Sequence, residues 1–144
     1  MRTYQLYLIE EQFASHYFGR EQMFFRLFQE YERSSGDLYS ILQRQIYFIT
    51  KEIPKYKVQQ DMFQELLIKQ DMVFDEHAYY ISQKRSNAKL EVGDRFITLE
   101  ASGNFEAETI FFEVLRKSES SYLAIDLSHN RFGWLKPIKE RKFV

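Results

Sequence analysis

The spacing of apolar residues differs between two long stretches of the chain, and that difference decides most of what it can fold into. Between residues 20 and 67 they recur every three or four positions; from residue 77 on they fall mostly in short runs rich in β-formers, with one further helical stretch. A period near 3.6 gathers side chains on one face of a helix, whereas a period of two divides them between the faces of a strand. Phe24, Leu27, Phe28 and Tyr31 make one helical stripe, within a helix from about Arg20 to Arg33. Ser34-Ser35-Gly36 breaks it. Asp37 can cap the next helix, which ends near Lys51 before Pro54 and carries the stripe Leu38, Ile41, Leu42, Gln45, Ile46, Ile49. Val58, Met62, Phe63, Leu66 and Leu67 continue the pattern in a further helix.

Ahead of these, Tyr4 to Ile9 reads as a strand, and Glu10 to Phe18 as a short helix stopped at Gly19. In the second half, His77 to Ser82 reads as a strand. Lys89–Val92 and Arg95–Leu99 predict a hairpin with its two-residue turn at Gly93-Asp94. Ser102-Gly103-Asn104 closes that strand and opens a helix from Phe105 to Lys117, whose stripe is Ala107, Ile110, Phe111, Val114, Leu115. Glu106 and Glu108 in its first turn and Arg116 and Lys117 in its last suit the helix dipole. Tyr122–Leu127 and Arg131–Leu135 predict two more strands around Ser128-His129-Asn130. This order implies an α/β or α+β fold: one domain over residues 1–144, with a mixed β-sheet of about five strands and helices packed on it.

Composition narrows the function. The net charge of −1 argues against a strongly basic nucleic-acid binder. With no cysteine there is no disulfide, thiolate metal site or Cys nucleophile. No apolar run reaches the ~20 residues of a membrane-spanning helix, and the first residues, Met1-Arg2-Thr3-Tyr4-Gln5, lack the apolar stretch of a signal peptide. A cytoplasmic protein fits these features.

Signatures of catalysis are sparse. The phosphate loop, dinucleotide, zinc-protease and nucleophile-elbow motifs are absent. Ser102-Gly103-Asn104 before a helix resembles an anion cradle, but Glu106 and Glu108 would repel a phosphate, so a capped turn is the simpler reading. His16, His77 and His129 are scattered over three elements without metal-ligand spacing. Asp126 and His129 would suit a small hydrolase only if they converge on a pocket; as loop residues they need no such role. The basic run Lys136 to Lys142, diluted by Glu140, and the cluster Lys84, Arg85, Lys89 would serve a nucleic-acid or acidic partner, or simply a solvated surface.

Apolar anomalies remain. Phe13 and Tyr17 lie four apart and share one side of the short helix; Ala14 and Phe18 share the neighbouring side. So short a helix cannot bury both sides unless it is enclosed. Gln45 occupies a stripe position among Leu and Ile, which fits either a hydrogen-bonded core edge or a polar anchor in an exposed patch. Phe25 and Phe112 lie off their main stripes and read as second-layer core.

Three segments carry a resemblance to a known family. They are Tyr7-Leu8-Ile9 with Phe13-Ala14 and His16-Tyr17-Phe18-Gly19-Arg20-Glu21; Ala101-Ser102-Gly103 with Glu106 to Lys117; and Gly133-Trp134-Leu135, Pro137, Lys139-Glu140-Arg141 and Phe143-Val144. Together they resemble the SirA family, the sporulation inhibitors of replication of Bacillus and its relatives. The stretch from about Ser34 to Asp94 departs most. The resemblance implies a non-enzymatic protein without cofactor that binds the N-terminal domain (domain I) of the replication initiator DnaA, as a 1:1 complex of a monomer, and blocks initiation. It also implies that Phe13, Tyr17 and Gln45 form the contact surface, with Ala14 beside them, and that Pro137 matters for activity, as a contact or as a rigid loop.

Overall fold

The computed structural model describes residues 1–67 and 72–138. In chain order they form β1 (Arg2–Leu8), α1 (Glu11–His16), α2 (Gln22–Arg33), α3 (Gly36–Ile49), α4 (Lys55–Leu66), β2 (Met72–Asp75), β3 (Ala78–Gln83), β4 (Ser86–Val92), β5 (Ile97–Gly103), α5 (Glu106–Ser118), β6 (Tyr122–Asp126) and β7 (Arg131–Trp134), with a 3-10 turn at Leu127–His129.

The strands make one seven-stranded sheet in the order β2-β3-β4-β5-β1-β6-β7. Every pairing in it is antiparallel. The α+β class holds, whereas the strand count and the mixed sheet do not. One strand escaped the periodicity because β2 has four residues and buries only Met72. β4 starts at Ser86, where the small and polar Ser86-Asn87 pair carries no apolar signal. The β4–β5 turn is shifted by one residue: Gly93 N–H donates to the Phe96 carbonyl at 2.9 Å, which puts Asp94-Arg95 at the tip.

β1 lies between β5 and β6, and its second half is buried on both faces, which is why Leu6 to Ile9 is an uninterrupted apolar run. Alternation sends Leu6 and Leu8 into one core and Tyr7 and Ile9 into the other. On the first face lie α4, through Val58, Met62 and Leu66, and α5, through Ala107, Phe111, Val114 and Leu115. On the second lie Ala14 of α1, Phe24, Phe25 and Phe28 of α2, and Ile46 of α3. β5, α5 and β6 form a β-α-β unit split by β1, since both strands run antiparallel to it.

The turn into α5 is a capped turn. Asn104 Oδ1 accepts from Glu106 N–H at 3.0 Å and Ser86 Oγ from Ala107 N–H at 3.1 Å. Gly103 has φ +82°, and a side chain there would strike the Arg85 carbonyl, so glycine is required. Glu108 is buried and ion-paired to Arg2, whose guanidinium also donates to the Gly103 and Asn104 carbonyls. Phe25 and Phe112 are second-layer core: Phe25 stacks on Phe132 and Phe112 meets Tyr4 edge-on at 5.3 Å. The expected cap at Asp37 is not made; Asp37 lies inside the first turn of α3.

Candidate functional site

α1 has six residues and no side-chain cap, too few to persist alone. Backbone hydrogen bonds hold it from outside. Ile9 N–H donates to the Ser121 carbonyl at 3.0 Å, and Glu10 N–H to the Ile49 carbonyl at 2.8 Å. Lys51 N–H donates to the Leu8 carbonyl at 2.7 Å, beside an antiparallel bridge between Ile9 and Thr50. The start of α1 and the end of α3 are thereby fixed to β1 and to each other.

Ala14, 2% exposed, turns into the core and sets the roll of the helix. Phe13 and Tyr17 consequently open onto a groove of about 370 Å³, which Met23, Phe24 and Leu27 floor and Gln45, Phe48 and Ile49 close from α3. Both aromatics are half-buried. The Phe13 and Phe48 rings lie 5.3 Å apart, and Tyr17 meets Phe24 edge-on at 5.6 Å. The Arg20 guanidinium sits 5.1 Å from the Tyr17 ring centroid. The lining is apolar except for the Gln45 amide and the Tyr17 hydroxyl.

Gly19 ends the first helical segment with φ +82°. Glu21 ties that turn to β7: its Oε1 accepts from Gly19 N–H at 3.1 Å and from Trp134 Nε1 at 3.3 Å. Burial alone would raise the Glu21 carboxyl, but hydrogen bonds from its own backbone N–H, from Gly19 and from Trp134 hold it below its usual range.

The structure brings Phe13, Tyr17 and Gln45 to one groove across 33 residues of sequence. Ala14 and Pro137 are placed elsewhere. Together with Glu11, Ser15, Ser120, Ser121, Lys136 and Ile138 they line a separate cleft of about 210 Å³ behind α1. Phe18 is exposed.

Phe48, 72% exposed, and Met23 are the groove residues that sequence reasoning missed. Leu38 and Ile41, read as core, are also exposed. The signal was the width of the α3 stripe. With Phe48 added, its apolar residues cover more of the helix than one buried face can hold, and Leu38, Ile41, Gln45 and Phe48 form a second row at i, i+3, i+7, i+10. Leu67, at the end of the α4 pattern, is likewise exposed.

Asp126, Ser128 and His129 do converge, though not as a relay. Asp126 Oδ2 lies 2.8 Å from His129 Nδ1, and Ser128 Oγ approaches that same nitrogen at 3.1 Å. A nucleophilic relay needs the hydroxyl on the opposite ring nitrogen. Arg131 donates to Asp126 Oδ2 at 2.8 Å, so the cluster pins the turn between β6 and β7. Burial opposes the Asp126 charge, but hydrogen bonds from Arg131, Ser128 and His129 outweigh it and lower the carboxyl from its ordinary value. Among the described residues no group of three or more His, Asp or Glu side chains is placed to hold a metal ion. No described helix is long and apolar enough to cross a membrane. The basic run beyond Ile138, Lys139 to Lys142, lies outside the described residues.

The model of the family described as "Sporulation inhibitor of replication protein SirA" matches residues 2–139. The chain belongs to the SirA family. A curated relative, the sporulation inhibitor of replication protein SirA of Bacillus subtilis (strain 168), is 43% identical over 147 aligned positions, covering 99% of each chain. The match runs through the stretch between Ser34 and Asp94, and so through α3 and Gln45.

Proposed function

We propose that the protein inhibits the initiation of DNA replication during sporulation without catalysis, by binding domain I of DnaA through the α1–α3 groove. What carries the reading is the meeting of Phe13, Tyr17 and Gln45, separated in sequence, on one open apolar groove of a SirA-family chain. Inhibition is by occupation: a preformed surface covers domain I and denies it to other partners, in a 1:1 complex with a monomer in the cytoplasm.

The groove has the composition of an interface centre, with aromatic side chains and Met at the middle and few charges. Phe13, Tyr17 and Phe48 are the anchors, and Gln45 fixes register through its amide. Ala14 and Pro137 act from behind by holding α1 rather than by touching the partner. A standard interface of ~800 Å² per partner extends beyond the groove, and the exposed row Leu38, Ile41 on α3 supplies the adjoining area.

Calorimetric titration into DnaA domain I tests this. Wild type gives 1:1 binding, and Tyr17→Ala weakens it at least ~30-fold, the equivalent of a ~2 kcal/mol hot spot. Undiminished affinity in a folded Tyr17→Ala variant removes the groove from the interface. Affinity for DNA that falls steeply with salt, with none for domain I, replaces the reading with a nucleic-acid one.

A further inference from the structure

The C-terminal turn of α3 carries Phe48 and Ile49 into the groove, and its last carbonyls have no partners within the helix. Nor does that turn contain a basic residue to meet the helix dipole. Both deficits are supplied from the tip of the β4–β5 hairpin. Arg95 Nη2 donates to the Tyr47 carbonyl at 2.8 Å and the Thr50 carbonyl at 3.0 Å, with Thr50 Oγ1 at 3.1 Å. The Thr50 hydroxyl proton goes to the Ile46 carbonyl at 2.7 Å, which leaves its oxygen free to accept. The guanidinium carbon also lies 4.6 Å from the Tyr47 ring centroid.

The hairpin tip is anchored in turn. Ile53 N–H donates to the Asp94 carbonyl at 2.8 Å, and Lys55 forms an ion pair with the Asp94 carboxylate. Arg95 is thus held at a fixed place against the end of α3, on the side away from the groove lining.

We propose that Arg95 is a positioning residue for the binding surface: it sets the last turn of α3, and through it places Phe48 against Phe13. Arg95 itself does not line the groove. Its action passes through Phe48 and through the backbone bond from Glu10 to Ile49, which joins that turn to α1. The effect on binding rests on the groove being the domain I surface; the effect on α3 does not.

Two measurements test it. The first is amide hydrogen exchange on the free protein. Arg95→Ala raises exchange at Glu10, Thr50 and Lys51 about tenfold, while amides of α5 and β6 keep their protection. Unchanged exchange at those three positions overturns the proposal whether or not domain I binds. The second is a double-mutant cycle read by binding to DnaA domain I. Arg95→Ala weakens binding about tenfold in the wild-type background and less than about twofold in Phe48→Ala, because contacting or shared elements are non-additive. Arg95→Lys, which keeps the cation at the helix end, recovers part of the loss. Fully additive losses of Arg95→Ala and Phe48→Ala overturn the coupling. Absence of domain I binding in wild type defeats the functional reading instead and leaves exchange to decide on Arg95.

Discussion

Helices with similar apolar spacing cover both faces of the sheet, yet one face is sealed and the other is open. On the sealed face α4 and α5 touch each other and lie across β3, β4, β5 and β1. Val58, Met62, Phe111 and Leu115 are completely enclosed there. On the open face α3 packs chiefly on α2, and of its outer row only Gln45 and Phe48 face α1, while Leu38 stays 52% and Ile41 49% exposed. Amphipathic period alone specifies a face to be buried. Whether it is buried within the chain or against another depends on how many elements flank it, and that is a property of topology. Monomers rarely leave contiguous apolar area uncovered without a use for it.

The largest effect that would sharpen this contrast is on the sealed face. Phe111→Ala lowers stability by about 3–5 kcal/mol, seen as a shifted urea midpoint, without touching the binding surface. On the open face the effect moves from stability to binding: Tyr17→Ala costs ~2 kcal/mol of affinity for domain I with a much smaller change in midpoint. Phe48→Ala costs about tenfold in affinity, and its stability stays within about 0.5 kcal/mol of wild type, because an exposed ring loses little on truncation. A stability loss at Phe48 comparable to that at Phe111 would erase the distinction between the faces.

The smallest effect concerns the β6–β7 turn. The folded-state carboxyl of Asp126 lies below its ordinary 3.8, so its contribution is present at neutral pH and lost as pH falls through the folded value. Asp126→Asn therefore costs about 1 kcal/mol at pH 7, with the deficit fading in strongly acid solution. Denaturation curves at several pH values check this; a deficit that grows toward low pH contradicts the ion-pair account.

Much of the fold was legible. The stripe of α2, the first strand and the turn before α5 all followed from spacing and residue type. Phe13 and Tyr17 stood out because so short a helix cannot bury two sides. Four features were not legible. β2 is too short and too exposed to show a period. Asp94-Arg95 replaces Gly93-Asp94 at the hairpin tip because the backbone bond from Gly93 to Phe96, invisible in composition, sets the register. And α3 has one face for the core and another for the groove, which a single stripe through Leu38, Leu42 and Ile49 blurs together. Arg95 acts on a helix 45 residues away, and no local pattern carries such information.

On this reading the open face alone receives the partner. Hydrogen-exchange mapping with and without DnaA domain I tests it most directly. New protection is expected on the open face alone, at residues 13–17, the start of α2 and α3 from Leu38 to Ile49, with α4 and α5 unchanged. Protection appearing on α4 and β2, with α1 and α3 exchanging as in the free protein, would contradict it.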